Sequence, residues 1–298
     1  MDLAIVGSVA LDSVRTPFGE AKEVLGGAAT YSSYAASFFC KPGIVAVVGT
    51  DFPNSHLDLL KSRNIDLSGV SIGGRTFRWE GEYEYDMNDA KTLKTELGSF
   101  ASFKPNVPES YKDAKYVFLA NIDPELQLSV LQQIKKPKLV ALDTMNFWIQ
   151  NKRESLIEVL RRVDVLLINE AEARQLFSTP SLVQAAKSAL ALGLKAVIIK
   201  KGEHGALLFM DGKHFSAPSY PLENVIDPTG SGDSFAGAVM GYIAKTDDIS
   251  ERNIRKAIVY GSVIASFNAE AFSLDRLKTL TLPEIEKRYN EFKEIRDF

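Results

Sequence analysis

The stretch Val165-Leu166-Leu167-Ile168-Asn169-Glu170-Ala171-Glu172 passes directly from unbroken apolar residues into a polar run with helical spacing. An apolar run that does not alternate has both faces buried, the mark of a parallel sheet covered by helices. Runs of the same kind occupy 3–7, 44–48, 116–119, 139–142 and 196–199, and helical spacing follows each. Helices are expected at 124–134, 152–161 and 182–192. The last begins after Thr179-Pro180-Ser181, a capping sequence, and stops at Gly193. Strand and helix alternate throughout with no repeat or composition break. The expected fold is therefore one three-layer, doubly wound α/β domain over 1–298, a mostly parallel sheet flanked by helices.

One segment departs from this pattern. In Thr76-Phe77-Arg78-Trp79-Glu80-Gly81-Glu82-Tyr83-Glu84-Tyr85, Phe77, Trp79, Tyr83 and Tyr85 fall on one face. Thr76, Arg78, Glu80, Glu82 and Glu84 fall on the other. Period two with a wet face belongs to an antiparallel sheet. The loop at 11–24, with Pro17 and Gly19, has similar mixed character. A small antiparallel sheet from about 11–24 and 72–100 is expected, either a lid over the strand ends or a peripheral hairpin covering core.

Composition removes several classes of function. The chain has 298 residues, 45% of them apolar, with 20 Gly and 12 Pro, which excludes disordered and collagen-like chains. Thirty-five basic against 38 acidic residues leave a net charge of −3, so no global field gathers nucleic acid or an anionic membrane. Cys40 is the single cysteine, so no internal disulfide forms, and a reducing compartment fits. The start, MDLAIVGSVALD, lacks a basic leader and its apolar run stops at Asp12, so no signal peptide is expected. No stretch approaches the ~20 apolar residues of a membrane span. A cytoplasmic protein is expected.

The chemistry concentrates at Asp227-Pro228-Thr229-Gly230-Ser231-Gly232-Asp233. Val225 and Ile226 before it read as a strand end. Phe235, Val239, Tyr242 and Ile243 after it lie on one helix face, with Ala236, Gly237, Ala238 and Gly241 allowing close packing. Gly230 and Gly232 thus sit where an extended segment turns into a buried helix. Free N–H groups there, with the helix dipole, make an anion site suited to phosphate. Asp233 is out of place in a pure phosphate loop. Either it caps the helix, or it is an ionised carboxylate ready to take the proton of an attacking hydroxyl. Other motifs fail on spacing. There is no GxxxxGK[ST], Gly230, Gly232 and Gly237 do not form GxGxxG, and Ser231-Gly232-Asp233-Ser234 is not GxSxG. His56, His204 and His214 are too scattered for a metal cluster.

At this loop the chain resembles the ribokinase-like, or PfkB, family of carbohydrate and nucleoside kinases. Residues 227–233 are similar to that family's D-T-T-G-A-G-D signature, with Pro228 and Ser231 as variants. Gly26-Gly27 before a small-residue helix resembles its di-glycine motif, and Gly49-Thr50-Asp51-Phe52 its G-x-D-x-F turn. Asn169-Glu170-Ala171-Glu172 matches N-x-x-E, and Lys200-Lys201-Gly202-Glu203-His204-Gly205 resembles its nucleotide-side glycine loop. The motifs run in family order over essentially the whole chain.

The resemblance implies ATP as phosphate donor, with Mg²⁺ and, as in many members, K⁺. Asp233 would be the catalytic base, and Gly230, Ser231 and Gly232 the anion hole. Asn169, Glu172, Lys200, Gly202, Gly205 and Asn268 would lie on the nucleotide side, Glu172 reaching Mg²⁺ through water. Asp227 and Thr229 would border the monovalent cation. Asp12, Gly26, Gly27 and Tyr31 would meet the acceptor, and the aromatic face at 77–85 would exclude water. Two departures bear on substrate. Tyr31 stands where sugar-kinase members carry Asn in G-G-x-x-x-N, and Asp143-Thr144-Met145-Asn146 lacks the Arg of D-x-N-x-R. The implied activity is phosphorylation of an alcohol group of a sugar or polyol. A nucleoside kinase of the same fold and a catalytically silent metabolite sensor are the alternatives. An exposed lid edge invites a homodimer.

Overall fold

The computed structural model describes residues 1–88 and 90–295. In chain order its strands are β1 (Leu3–Val6), β2 (Ala10–Thr16), β3 (Gly19–Gly26), β4 (Pro42–Val48), β5 (Asp66–Ile72), β6 (Phe77–Glu82) and β7 (Lys91–Glu96). There follow β8 (Tyr116–Leu119), β9 (Leu139–Asp143), β10 (Val165–Asn169), β11 (Ala196–Lys200), β12 (Ala206–Met210) and β13 (Lys213–Ala217). Among the described residues, nine strands form one sheet in the order β13-β12-β11-β10-β9-β8-β1-β4-β5. It is parallel from β5 to β11, and β12 and β13 add an antiparallel edge.

The unbroken apolar runs become this sheet because each strand feeds two cores. Ile5, Phe118, Leu167 and Ile198 point into one. Val6, Leu119, Leu166, Ile168 and Ile199 point into the other. Full burial of each such side chain contributes about 1.5–3 kcal/mol. Helices α1 (Ala28–Ala36) and α2 (Asn54–Ser62) pack on the first face. The second face receives α3 (Pro124–Leu131), α4 (Asn146–Asn151), α5 (Arg153–Leu160), α6 (Glu170–Phe177) and α7 (Leu182–Leu190). Then α8 (Ser231–Thr246), α9 (Glu251–Asn268), α10 (Asp275–Thr279) and α11 (Leu282–Ile295) return to the first. The Ser181 hydroxyl accepts from the Gln184 N–H at 3.3 Å, so the expected cap of α7 forms. No described helix is long and apolar enough to cross a membrane.

A second sheet of four strands, β3-β2-β6-β7, is the expected small accessory sheet. Its two hairpins are antiparallel, and β2 and β6 join them side by side in parallel. Two positions break the expected alternation. Thr76, placed on the wet face, is 1% exposed, and Tyr85, placed on the aromatic face, is 86% exposed. Tyr85 lies beyond the end of β6 at Glu82, so strand periodicity no longer governs it. Thr76 is buried because it joins the accessory sheet to the α/β layer. Its N–H and hydroxyl both donate to Asp51 Oδ1 at 2.8 Å, and its hydroxyl accepts from the Gly49 N–H at 3.0 Å. Arg78 reaches the other Asp51 oxygen at 2.8 Å. Desolvation alone would raise the Asp51 carboxyl, but these bonds outweigh it and hold the group well below the carboxylate range.

Candidate active site

The loop before α8 is tied down from below, not extended as a strand. Ile226 and Asp227 donate their N–H groups to Ala269 O at 2.8 and 3.3 Å, and Thr16 Oγ1 donates to Ile226 O at 2.9 Å. Val225 and Ile226 are therefore irregular, contrary to the expected strand end, because the N–H groups of Ile226 and Asp227 go to the end of α9 rather than to a strand. The chain enters α8 through Gly230 at φ 72. A Cβ there would lie 2.4 Å from the Tyr31 ring, so only glycine fits both the turn and the ring beneath it. Ser231 spends its N–H on Pro228 O at 3.0 Å. The unspent N–H groups are those of Gly230, Gly232 and Asp233, which donate to no described residue. Ser231 belongs to the turn and, through its side chain, to the cleft wall. Behind these groups stands the dipole of a 16-residue helix.

Carboxylates converge on this loop. Asp233, in the first turn of α8, is partly exposed, and no described residue bonds its carboxyl group. Burial pushes it up to about 7; Asp143 adds to the rise and Lys200 opposes it. Asp12, on β2, is 5% exposed and also pushed up to about 7, by burial first, while the Gly27 N–H lowers it. The di-glycine cradles this carboxylate: a Cβ on Gly26 would sit 1.8 Å from Asp12 Oδ2. Asp227 is 1% exposed; Oδ1 accepts from the Thr229 N–H at 2.9 Å and Oδ2 has no partner. The Thr229 hydroxyl meets the Tyr83 hydroxyl at 3.3 Å, which links the accessory sheet to the loop.

The pushed-up carboxyls make stability depend on pH. A folded Asp12 that holds its proton to about 7, against 3.8 in the open chain, favours folding most below about pH 4. That contribution is lost as pH rises through 7. Asp12→Asn should therefore raise the melting temperature at pH 8 by about 3–8 °C and leave it unchanged near pH 4. Thermal scans at both pH values check this; an equal shift at both would remove the titration as its cause.

Beside the loop and α9, a cleft of about 490 Å³ is lined by Lys200, Gly202, Gly205, Ser231 and Gly232. Its apolar wall includes Phe235, Val225, Ala265 and Ala269. Asn169 and Glu172 form a capping box on α6: Asn169 Oδ1 accepts from the Glu172 N–H at 2.8 Å, and Glu172 Oε2 from the Asn169 N–H at 3.0 Å. Glu172 is pushed up to about 7 by burial and by Asp143, with Lys200 opposing. Lys200 closes the group through an ion pair with Asp143 Oδ2 at 2.6 Å.

Two expected site residues are buried against the loop. Asn268, expected beside the nucleotide, is 1% exposed, because its amide braces the loop from behind. It donates to Thr229 O at 2.8 Å and Ser231 Oγ at 3.3 Å, and accepts from Ser234 Oγ at 3.2 Å. Tyr31, expected at the acceptor, is 2% exposed and underlies Gly230; burial first, then the charges of Asp12 and Asp227, push its hydroxyl up. Sequence reasoning gave Asp143 no part in the site and did not pair Tyr83 with Thr229. Both are contacts between distant segments with no local pattern.

A parallel sheet carrying at its strand ends a loop of open N–H groups, a free carboxylate and a nucleotide-sized cleft defines a phosphotransferase of ribokinase type. The pfkB family carbohydrate kinase profile matches residues 9–278, and the chain belongs to that family. A cytidine kinase of Thermococcus kodakarensis is 34% identical over 250 residues, 81% of this chain and 88% of that protein. A nucleoside kinase of Methanocaldococcus jannaschii is 25% identical over 230 residues, 76% and 73% of the two chains. The crystal structure of a Methanocaldococcus jannaschii nucleoside kinase superposes with a TM-score of 0.79 at 23% identity, covering 98% of this chain and 99% of that one. The protein is an ATP-dependent kinase with an alcohol group as acceptor.

Proposed function

We propose that the acceptor is a nucleoside. The observation that carries this reading is the similarity to the cytidine kinase over 81% of the chain. Trp79 is its physical counterpart. It pairs in register with Asp12 across β2 and β6, so the two share a sheet face. Its ring lies over Gly81 and its Nε1 donates to Thr92 Oγ1 at 3.1 Å, which holds an aromatic plate beside the carboxylate. A hydroxyl held by Asp12 gives its proton to Asp233, and its oxygen bonds to the γ-phosphorus. The bond from that phosphorus to the β–γ bridging oxygen breaks, and ADP leaves with the electron pair. The N–H groups of Gly230, Gly232 and Asp233 face the charge that develops on the phosphoryl oxygens.

The donor set suits two cations. Among the described residues no three acidic, His or Cys side chains are grouped to hold a metal. Glu172 would help hold Mg²⁺ that arrives with the nucleotide, and the ion would neutralise phosphate charge. The buried, unpartnered Asp227 Oδ2 suits a monovalent cation beside Thr229. ADP release measured with Mg-ATP, with and without K⁺, across nucleosides, pentoses and hexoses tests the assignment. Turnover is expected on pyrimidine or purine nucleosides; turnover on free sugars alone would return the acceptor to the carbohydrate class.

A further inference from the structure

Lys200 ends β11 and Asp143 ends β9, so their ion pair spans the intervening β10. The two ends of the pair differ. Asp143 is sealed, its side chain 4% exposed, with Oδ1 accepting from the Thr144 N–H at 2.8 Å and Oδ2 from Lys200 at 2.6 Å. Lys200 is 16% exposed and lines the nucleotide cleft, where it is the only basic side chain among the described lining residues. An ammonium has three N–H groups, and Asp143 takes one; no other described residue accepts from it. The ammonium also abuts the loop: a Cβ on Gly232 would lie 3.4 Å from Nζ. A charge pair that serves only the fold is satisfied at both ends. Here both oxygens of the anion are bonded, and the cation keeps donors free toward a cleft that Ser231 and Gly232 of the loop also line.

We propose that Lys200 is a catalytic residue that binds the non-bridging oxygens of the transferring γ-phosphoryl group, and that Asp143 is the positioning residue that aims it. The inference rests on the proposed placement of the γ-phosphate at Gly230–Asp233. As a phosphate contact it supplements the N–H groups with a mobile full charge, which follows the phosphoryl as the acceptor bond forms.

The test compares Lys200→Met, Lys200→Arg, Asp143→Asn, Asp233→Asn and the double variant Lys200→Met/Asp143→Asn in steady-state kinetics and thermal melts. Lys200→Met is expected to lower kcat and kcat/KM together by about 10²-fold, with KM for ATP changed far less. Lys200→Arg should stay within about tenfold of the parent, because the charge is kept. Lys200→Met alone leaves a buried carboxylate unpaired, so its melting temperature falls, and the double variant should recover stability but not turnover. Equal kcat for Lys200→Met and the double variant would show that Asp143 acts through Lys200. Full turnover in Lys200→Met, or turnover restored together with stability in the double variant, would overturn the proposal. If Asp233→Asn is slow in the same assay, that failure is confined to Lys200. If Asp233→Asn is fully active, the placement of the γ-phosphate fails first.

Discussion

Asp233→Asn lowers turnover by about 10²–10⁴-fold and leaves nucleotide affinity largely in place. The expectation follows from what the substitution keeps and what it removes. Asn has nearly the same shape and keeps the backbone N–H, so the proposed phosphate cradle survives. The lost property is proton affinity, and Asp233 is placed for that task by burial, which raises it to about 7 with no bond from any described residue. Such a base works ionised, so kcat/KM should rise with pH and level off above about 7 in the parent. That acid limb should vanish in the variant. Isothermal titration with ADP and an ADP-release assay from pH 5 to 9 check both halves. Parent-like turnover in Asp233→Asn would remove the residue from the chemistry.

Gly230→Ala is expected to be nearly as damaging without removing any functional group. The added methyl would enter the Tyr31 ring at 2.4 Å, and the backbone stands at φ 72, where a non-glycine residue costs about 1–2 kcal/mol. Tyr31 cannot give way easily because it is 2% exposed. The loop must therefore shift, and the N–H groups of Gly232 and Asp233 turn with it. Losing one well-aimed oxyanion donor typically costs 10²–10³-fold in rate, so turnover should fall by about that much. The melting temperature should fall too, and acceptor binding at Asp12 should persist. A variant with full activity would show that this loop does not hold the reacting phosphoryl.

The parallel sheet was legible because an unbroken apolar run has one stable environment, and residues 165–168 and 196–199 occupy it. β5 escaped notice because it lies at the sheet edge and reads Asp-Leu-Ser-Gly-Val-Ser-Ile, too polar to stand out. The loop at 227–233 was legible as a turn into a buried helix, since two glycines precede small and apolar residues at helical spacing. The distribution of work inside it was not, since which N–H groups stay free depends on the turn closed by Ser231 and Pro228. The burial of Asn268 and Tyr31 was hidden for a related reason: sequence does not tell the floor of a loop from its wall. The pairing of Lys200 with Asp143 joins positions 57 apart in sequence, and only the order of the strands brings them together.

The parallel seam between β2 and β6 has a consequence for assembly. Each hairpin of the small sheet is local, but the seam joins hairpins separated by α1, β4, α2 and β5, which belong to the large layer. Loop closure over that distance is repaid only after those elements have docked. The small sheet is thus expected to be among the last parts of the chain to form and the first to come apart under mild denaturant, before the large sheet does.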